Sequence, residues 1–450
     1  MSTICAISTS LAEAAIGIVR LSGPASLSIA KRIFRGGDLE ERPRYLHYGH
    51  IHRGEEWIDE VLAVYFKAPL TYTREDMVEI NCHGGAMALQ RVLSLCLEEG
   101  ARLADPGEFT QRAFLNGRLD LTQAEAVMQL IRAKTDLSYD VALTHLGGDI
   151  SKKIGEIREI LLGLLAGISL AVDYPEEDEE DISFESLTLA MQRVREELMR
   201  LLENSKKGKL LEEGLRTVIS GRPNVGKSTL LNALSGHSRA IVTDIAGTTR
   251  DTIEERIQIR GLPLILIDTA GLRETLDPVE HLGVERSHEA MQRADFILYV
   301  LSADEALSEE DIQRLELLKN REYLVIVNKI DKNISIDRDK LNSIVDQDKI
   351  LFASLIKEQG IIAIEEAILE RTLGKGLSLG EPLIQNQRQI GLLKEALVWC
   401  EDALSDLNLR EAYDYLEVNI KGCYESLGLL LGENNPDIMG EVFSRFCVGK

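Results

Sequence analysis

The stretch GRPNVGKS, Gly221–Ser228, fits the pattern GxxxxGK[ST], and its reading decides the fold. It follows the β-rich run RTVISG and opens an amphipathic helical stretch, the strand-to-helix context that separates a phosphate loop from a chance match. Its glycines let backbone N–H groups close around phosphates. Lys227 adds a point charge, and Ser228 offers a hydroxyl to Mg²⁺.

Two further motifs follow in order. Asp268-Thr269-Ala270-Gly271 ends the run LPLILIDTAG and supplies a second carboxylate near the metal. Asn328-Lys329-Ile330-Asp331 ends the run YLVIVNKID. A carboxylate at Asp331 accepts from both N1–H and the exocyclic amine of guanine, a pair of donors that adenine lacks. Three ordered motifs on three strand ends predict a guanine-nucleotide site. The stretch FASL, Phe352–Leu355, occupies the place of a usual Ser-Ala pair with the order inverted, so a backbone N–H of Ala353 or Ser354 is expected to make a weaker base contact.

In DTAGLRE, Asp268–Glu274, the residue after the glycine is Leu272, where Ras-type enzymes carry a glutamine that orients the attacking water. Two features bear on what replaces it. Asn224, beside the loop TDIAGTTRD (Thr243–Asp251), offers an amide oxygen that, with loop carbonyls, makes a cage suited to a hard monovalent cation. An arginine finger is worth roughly 10³–10⁵ in rate, about 4–7 kcal/mol, so a cation in its place is a sufficient cause. The alternative is a loop residue that caps local backbone. Glu280, in LDPVEHLGVERS, is either a carboxylate that orients water or an exposed switch-helix acid.

Outward from this core, RTVISG, LPLILIDTAG, ADFILYVLSA and YLVIVNKID alternate with helical segments, the pattern of a parallel sheet with crossover helices. Upstream, Gly17–Gly23, Val61–Pro69 and Met77–Gly85 read as strands, the last leading into a helix over 86–98. Ile154, Ile157, Leu161, Leu164 and Ile168 recur at helical spacing, and a second amphipathic stretch covers Leu187–Leu211. Helical periodicity returns over 389–404, 412–431 and 436–446. The fold class is therefore multidomain α+β and α/β: a β-rich amino-terminal domain (1–118), a helical domain in two halves (119–212 and 376–450), and an inserted Ras-like P-loop domain (213–375).

With 450 residues, 44% hydrophobic and 28% charged, the chain reads as globular with two to three domains. It has no apolar run long enough for a membrane span and no signal-peptide layout, so a cytoplasmic location without membrane contact is expected. Six scattered cysteines form no CxxC pair, which argues for reduced thiols. A net charge of −23 argues against a broad electrostatic grip on nucleic acid. The run PEEDEED, Pro175–Asp181, contributes much of it and reads as a solvated acidic loop.

Together GIVRLSG, EFTQRAFLNGRLDLTQAEAV, GRPNVGKSTLLNAL, VTDIAGTTRD, DTAGLRE and the terminal FCVGK make the whole chain resemble the tRNA modification GTPase family MnmE, also called TrmE. The resemblance implies a potassium-activated GTP hydrolase whose G domains dimerise across the nucleotide. K⁺ is then expected at Asn224, Thr243, Ile245 and Thr248, and Mg²⁺ at Ser228 and Thr249. Glu280 and Lys227 are the expected catalytic groups. GTP is expected to touch Asn224, Val225, Gly226, Lys227, Ser228 and Thr229 in the phosphate loop. Thr243, Asp244, Ile245, Ala246, Gly247, Thr248 and Thr249 are expected from the switch. Asp268, Thr269, Ala270 and Gly271 follow, with Asn328, Lys329, Asp331, Ala353 and Ser354 around the base. Leu272 is then unsurprising, because the family works without the glutamine.

The family resemblance also implies a one-carbon tetrahydrofolate, as the 5-formyl or 5,10-methylene form, at Arg20, Glu79, Arg118 and Lys450. Position 118 is often lysine in the family, and arginine there keeps the charge with a different geometry. Ser8–Gly17, STSLAEAAIG, departs from the usual glycine- and proline-rich version. Cys447 is either a nucleophilic or redox thiol near that site or a small buried residue that positions the tail; no neighbouring His or Cys depresses its pKa. The implied partners are a second copy joined through the amino-terminal domain, tRNA, and the flavoprotein MnmG in a heterotetramer or larger complex. The implied reaction is modification of the wobble uridine of certain tRNAs at carbon 5 to aminomethyl or carboxymethylaminomethyl uridine. Two rivals stand beside it, a ribosome-assembly GTPase switch and a one-carbon transferase that acts without a partner.

Overall fold

The computed structural model describes residues 2–173, 183–237, 255–267, 291–374, 382–409, 412–433, 440, 442–446 and 448–449. Along the chain run β1 (Ile4–Ile7), β2 (Ile16–Ser22), α1 (Ser26–Ile33), β3 (Phe34–Gly36), β4 (His47–Arg53), β5 (Glu56–Phe66) and β6 (Met77–His83). Next are α2 (Ala86–Glu98), β7 (Arg102–Leu103), α3 (Glu108–Leu115), α4 (Leu121–Arg132), α5 (Asp136–Leu146), α6 (Asp149–Asp173) and α7 (Phe184–Glu213). Then come β8 (Leu215–Ser220), α8 (Lys227–His237), β9 (Glu255–Ile259), β10 (Leu262–Leu266), β11 (Phe296–Ser302), α9 (Glu309–Leu317) and β12 (Tyr323–Asn328). The chain continues through α10 (Arg338–Ile344), β13 (Ile350–Phe352), α11 (Ile361–Leu373), α12 (Gln387–Leu409) and α13 (Tyr413–Leu431).

The described chain divides into two compact units, one of residues 1–131, 145–194 and 395–450, the other of 132–144 and 195–394. In the first, seven strands form one sheet in the order β3-β4-β5-β6-β2-β1-β7, antiparallel except for the β1–β7 pair. Val19, Leu21, Val78 and Ile80 point from it onto Leu89 and Val92 of α2, which gives the sheet one dry face. β5 begins at Glu56, five residues before the hydrophobic run at Val61; its first half is mixed, with Glu56, Trp57 and Glu60 exposed and Ile58 partly packed on the core, so no apolar run marks its start. The helical part of this unit buries Ile154, Ile157, Leu161 and Ile168 of α6, the residues whose spacing predicts that helix. An ion pair from Arg158 to Glu433 (2.7 Å) ties α6 to the end of α13. Of the helix expected over 436–446, residues 440 and 442–444 are helical, 445–446 form a turn and a bend, and 436–439 and 441 lie outside the described residues.

The second unit carries a six-stranded sheet in the order β13-β12-β11-β8-β10-β9, parallel except for the β9–β10 hairpin. Every residue of β11 and β12 is buried. Phe296, Leu298 and Val300 pack on one face with Leu324 and Ile326, while Ile297, Tyr299 and Leu301 pack on the other with Val325 and Val327. Strands covered on both faces have no polar side to show, which is why FILYVLS and YLVIV read as unbroken apolar runs. The described residues thus hold a β-rich amino-terminal part, a helical part and a Ras-like P-loop α/β part. Among them no helix is long and apolar enough to cross a membrane.

Candidate functional site

β8 ends at Ser220 and α8 begins at Lys227, so the phosphate loop spans six residues at the carboxyl edge of a central parallel strand. Ligands of open α/β sheets bind at that edge. The start of α8 adds unsatisfied backbone N–H groups and the positive end of the helix dipole. Asn224 is exposed and adopts φ 61°, a left-handed conformation that asparagine tolerates better than most residues. Lys227 Nζ donates to the carbonyl oxygens of Gly221 (2.8 Å) and Arg222 (2.7 Å). Burial, with a lesser push from Arg314, holds its ammonium below the ordinary lysine range. A charge so placed is poised to gain from an anion.

The NKID and FASL segments are joined to this loop by one side chain. Asn328 Nδ2 donates to Val225 O (2.9 Å), and Asn328 Oδ1 accepts from Leu355 N (3.1 Å). Asn328 is buried at the end of β12, so it fixes the phosphate loop and the FASL turn against one strand end. Gly226 makes this possible: it sits at φ 109°, and a Cβ there would lie 2.2 Å from Asn328 Nδ2. Lys329 follows at φ 64°, a second left-handed residue. Lys329 and Lys332 both approach Asp304, at 3.7 and 2.9 Å. Hydrogen bonds from Ser302 and then Lys332 hold the Asp304 carboxyl down at about 2.

Asp331 is exposed, and its Oδ1 accepts from the Ser354 hydroxyl (2.6 Å). That hydrogen bond is the main cause holding the Asp331 carboxyl below its ordinary value. The backbone N–H of Ala353 donates to Val327 O (2.9 Å) and that of Ser354 to Gln359 O (3.0 Å). Both N–H groups are therefore engaged in the protein. Ser354 meets Asp331 through its side chain, a contact that the inverted Ala-Ser order concealed. Ser228 and Thr229 lie in the first turn of α8, half-buried. Thr243, Asp244, Ile245, Ala246, Gly247, Thr248, Thr249, Asp268, Thr269, Ala270, Gly271 and Glu280 lie outside the described residues, as do Cys447 and Lys450.

A buried carboxylate absent from the sequence reading braces the phosphate loop from behind. Asp311, fully buried, closes a capping box with Ser308 at the start of α9 and accepts from Tyr299 Oη (3.1 Å). Arg222 of the loop approaches it at 3.0 Å and Glu305 at 2.9 Å. An Asp three residues after a Ser is the signal that could have marked the cap, but nothing in the sequence pairs it with Arg222.

In the amino-terminal unit, the β2–β6 register sets Arg20 directly opposite Glu79. Arg20 Nε and Nη2 both contact Glu79 Oε1 at 2.8 Å. Glu79 Oε2 makes no hydrogen bond among the described residues. Arg20 also donates to Gly449 O (3.3 Å), which Ser8 Oγ contacts at 3.2 Å, so the chain's tail is brought to the same place. Gly449 lies at φ 92°, where a Cβ would meet Ile7 O at 2.4 Å. Arg118 stacks on the Tyr72 ring with 4.6 Å to the centroid. Glu79 and Arg118 line one pocket of about 640 Å³, whose walls include Phe66, Leu70 and Met77. A carboxylate oxygen without a partner among the described residues, cations and an apolar wall suit a flat heterocycle with ring N–H donors and an anionic tail. Cys5 and Cys82, buried nearby, have thiols pushed up to about 12 by burial, so they are packed as neutral groups.

Comparison with known proteins adds the remaining finding. A family model described as the MnmE helical domain matches residues 121–447, and one described as the GTP-binding protein TrmE N-terminus matches residues 3–118. A tRNA modification GTPase MnmE of Shouchella clausii (strain KSM-K16) is 47% identical over 456 residues, covering 100% of both chains. Those of Geobacillus kaustophilus (strain HTA426) and Bacillus subtilis (strain 168) are 47% and 45% identical, covering 100% of this chain and 99% and 100% of theirs. With its full length matched and its nucleotide-loop geometry in place, the chain belongs to the MnmE (TrmE) family of tRNA modification GTPases.

Proposed function

We infer that this chain is a potassium-activated GTP hydrolase of the cytoplasm that acts, with a flavoprotein partner, on carbon 5 of the wobble uridine of certain tRNAs. The products are aminomethyl and carboxymethylaminomethyl uridine. The observation that carries the GTP half is Asn328, which joins the phosphate loop to the turn that supports Asp331. The tRNA half rests on the family and on the folate-like pocket.

In this reading Lys227 and the N–H groups at the start of α8 bind the phosphates, Ser228 and Thr249 hold Mg²⁺, and Asp331 reads guanine. Ser354 holds Asp331 charged and aimed. Asn224, Thr243, Ile245 and Thr248 would hold K⁺, which supplies positive charge where an arginine finger supplies it elsewhere. Glu280 orients the attacking water, the task Leu272 cannot perform. Residues 213–375 form the inserted G domain, and 119–212 with 376–450 form the helical domain that passes its motion on. Residues 1–118 join two copies and bind a one-carbon tetrahydrofolate, with Arg20 fixing Glu79, Glu79 accepting from the ring, and Arg118 and Lys450 meeting carboxylates.

The test is steady-state GTP hydrolysis in KCl and in NaCl at equal ionic strength, for the parent and Asn224→Ala. Strong stimulation by K⁺ that disappears in the variant is expected. Equal parental rates in the two salts would remove the cation from the mechanism and favour a slow assembly switch.

A further inference from the structure

The pocket that holds Glu79 and Arg118 contains more positive charge than those two residues explain. Its charged lining is Arg44, Arg74, Arg118 and Glu79, and Glu79 is already matched by Arg20 at 2.8 Å. Among the described residues none of the three arginines has a carboxylate within ion-pair distance. Their hydrogen bonds run to main-chain oxygens: Arg44 to Leu70, Arg74 to Asn116 (2.8 Å) and Arg118 to Tyr72 (3.3 Å). A carbonyl uses one of five guanidinium donors and leaves the charge uncompensated. In a chain with 74 acidic and 51 basic residues, three unmatched arginines around one cavity are a departure that composition does not produce.

Their backbone points the same way. Arg44 and Arg74 sit at φ 68° and 59°, a conformation that costs a side-chain-bearing residue energy and that surrounding structure must hold. Both guanidinium groups are exposed at the rim, while Phe66 and Met77 supply an apolar wall within. A planar body fits the wall, and a flexible chain bearing several carboxylates fits the rim. The arginine fork matches a carboxylate with two parallel hydrogen bonds. A run of RNA phosphates would use the rim but leave the apolar wall without a purpose.

Building on the folate reading above, we propose that Arg44 and Arg74 form a second anion subsite, which takes the γ-linked glutamyl carboxylates of a folate carrying more than one glutamate. The pocket then selects the polyglutamyl form over the monoglutamyl form.

Titration calorimetry of the full chain with 5-formyltetrahydrofolate as the mono- and the triglutamate, at one fixed salt concentration, tests this. The triglutamate is expected to bind about tenfold more tightly, a gain that charge-assisted contacts to two arginines supply readily. In Arg44→Gln/Arg74→Gln that gain is lost while monoglutamate affinity stays within about twofold, a value that also reports an intact fold. Equal affinities for the two ligands in the parent overturn the subsite and leave the folate reading standing. No binding of either ligand removes the folate reading itself. A double variant that keeps the glutamate gain but loses affinity for tRNA assigns the arginines to RNA and overturns the proposal.

Discussion

In the proposed nucleotide site guanine selection turns on Asp331, and its behaviour is set by a neighbour 23 positions away. A carboxylate accepts from two donors on the guanine edge, whereas an amide at the same place must present one donor of its own. Asp331→Asn is therefore expected to weaken GTP binding by roughly 10- to 100-fold and to improve binding of xanthosine triphosphate, which offers an acceptor there. Fluorescent-nucleotide titration measures both, and unchanged GTP affinity would place the base elsewhere. The Ser354 hydrogen bond lowers the Asp331 pKa, so the charged, guanine-accepting form persists as pH falls below the ordinary carboxylate value of 3.8. Removing that bond moves the pKa back up. In Ser354→Ala, guanine-nucleotide affinity should thus be several-fold weaker and should begin to fall at a higher pH than in the parent. Identical pH profiles would mean that the hydroxyl does not govern the carboxylate.

At the scale of elements, the phosphate loop is held by what lies behind it. Asp311 caps α9, accepts from Tyr299 on β11 and faces Arg222, so three elements meet on one buried carboxylate. Asp311→Ala leaves Tyr299 Oη without that acceptor and strips a buried ion pair of its acid. Loss of about 3 kcal/mol of stability is expected, read by urea unfolding, with Asp311→Asn losing less because it still caps. A loss within about 0.5 kcal/mol would show the cluster to be surface-like. Gly226→Ala tests the loop's front: the added methyl collides with Asn328 and forces an alanine into φ 109°, so nucleotide binding should fail although α8 is otherwise favoured. Retained nucleotide affinity in that variant would show that the Asn328 tie is dispensable. These ties also mark where the sequence ceases to be legible. β11 and β12 announce themselves because both faces are buried, and α2 appears over the 86–98 expected, because local periodicity determines both. β4, HYGHIHR, does not, since Tyr48, His50 and His52 lie on the wet side of the pleat and break the apolar pattern. The GxxxxGKS and NKID motifs name their own residues. The hydroxyl of Ser354 on Asp331, the Arg222–Asp311 contact and the arginine rim at Arg44 and Arg74 depend on which distant turns the sheets bring together, and no spacing encodes that.

For the whole molecule, the quantity that matters is charge. A net −23 is hard to reconcile with a chain that grips tRNA by its phosphates. Among the described cations of the amino-terminal unit, Arg32 is mated with Glu99, Arg35 with Glu55, Arg53 with Glu98 and Arg91 with Glu56, while Arg44, Arg74 and Arg118 around the pocket have no carboxylate partner among the described residues. Such pairs release no counterions when RNA approaches, because their compensation is internal. Under the function proposed above, the phosphate grip falls to the flavoprotein partner, and this chain contributes nucleotide hydrolysis and the one-carbon donor. The logarithm of an affinity falls against the logarithm of salt with a slope proportional to the phosphates neutralised. For this chain alone, tRNA binding should show a slope of magnitude no more than about 2, corresponding to two or three contacts. Addition of the partner should steepen it, with most of the affinity gain appearing at low salt. Filter binding from 50 to 300 mM KCl measures both, and uridine modification by the chain alone should be undetectable under the same conditions. A slope of about 6 or more for the isolated chain would mean that a basic face outweighs the global charge. The division of labour would then reverse, with this protein carrying the tRNA and the flavoprotein coming to it.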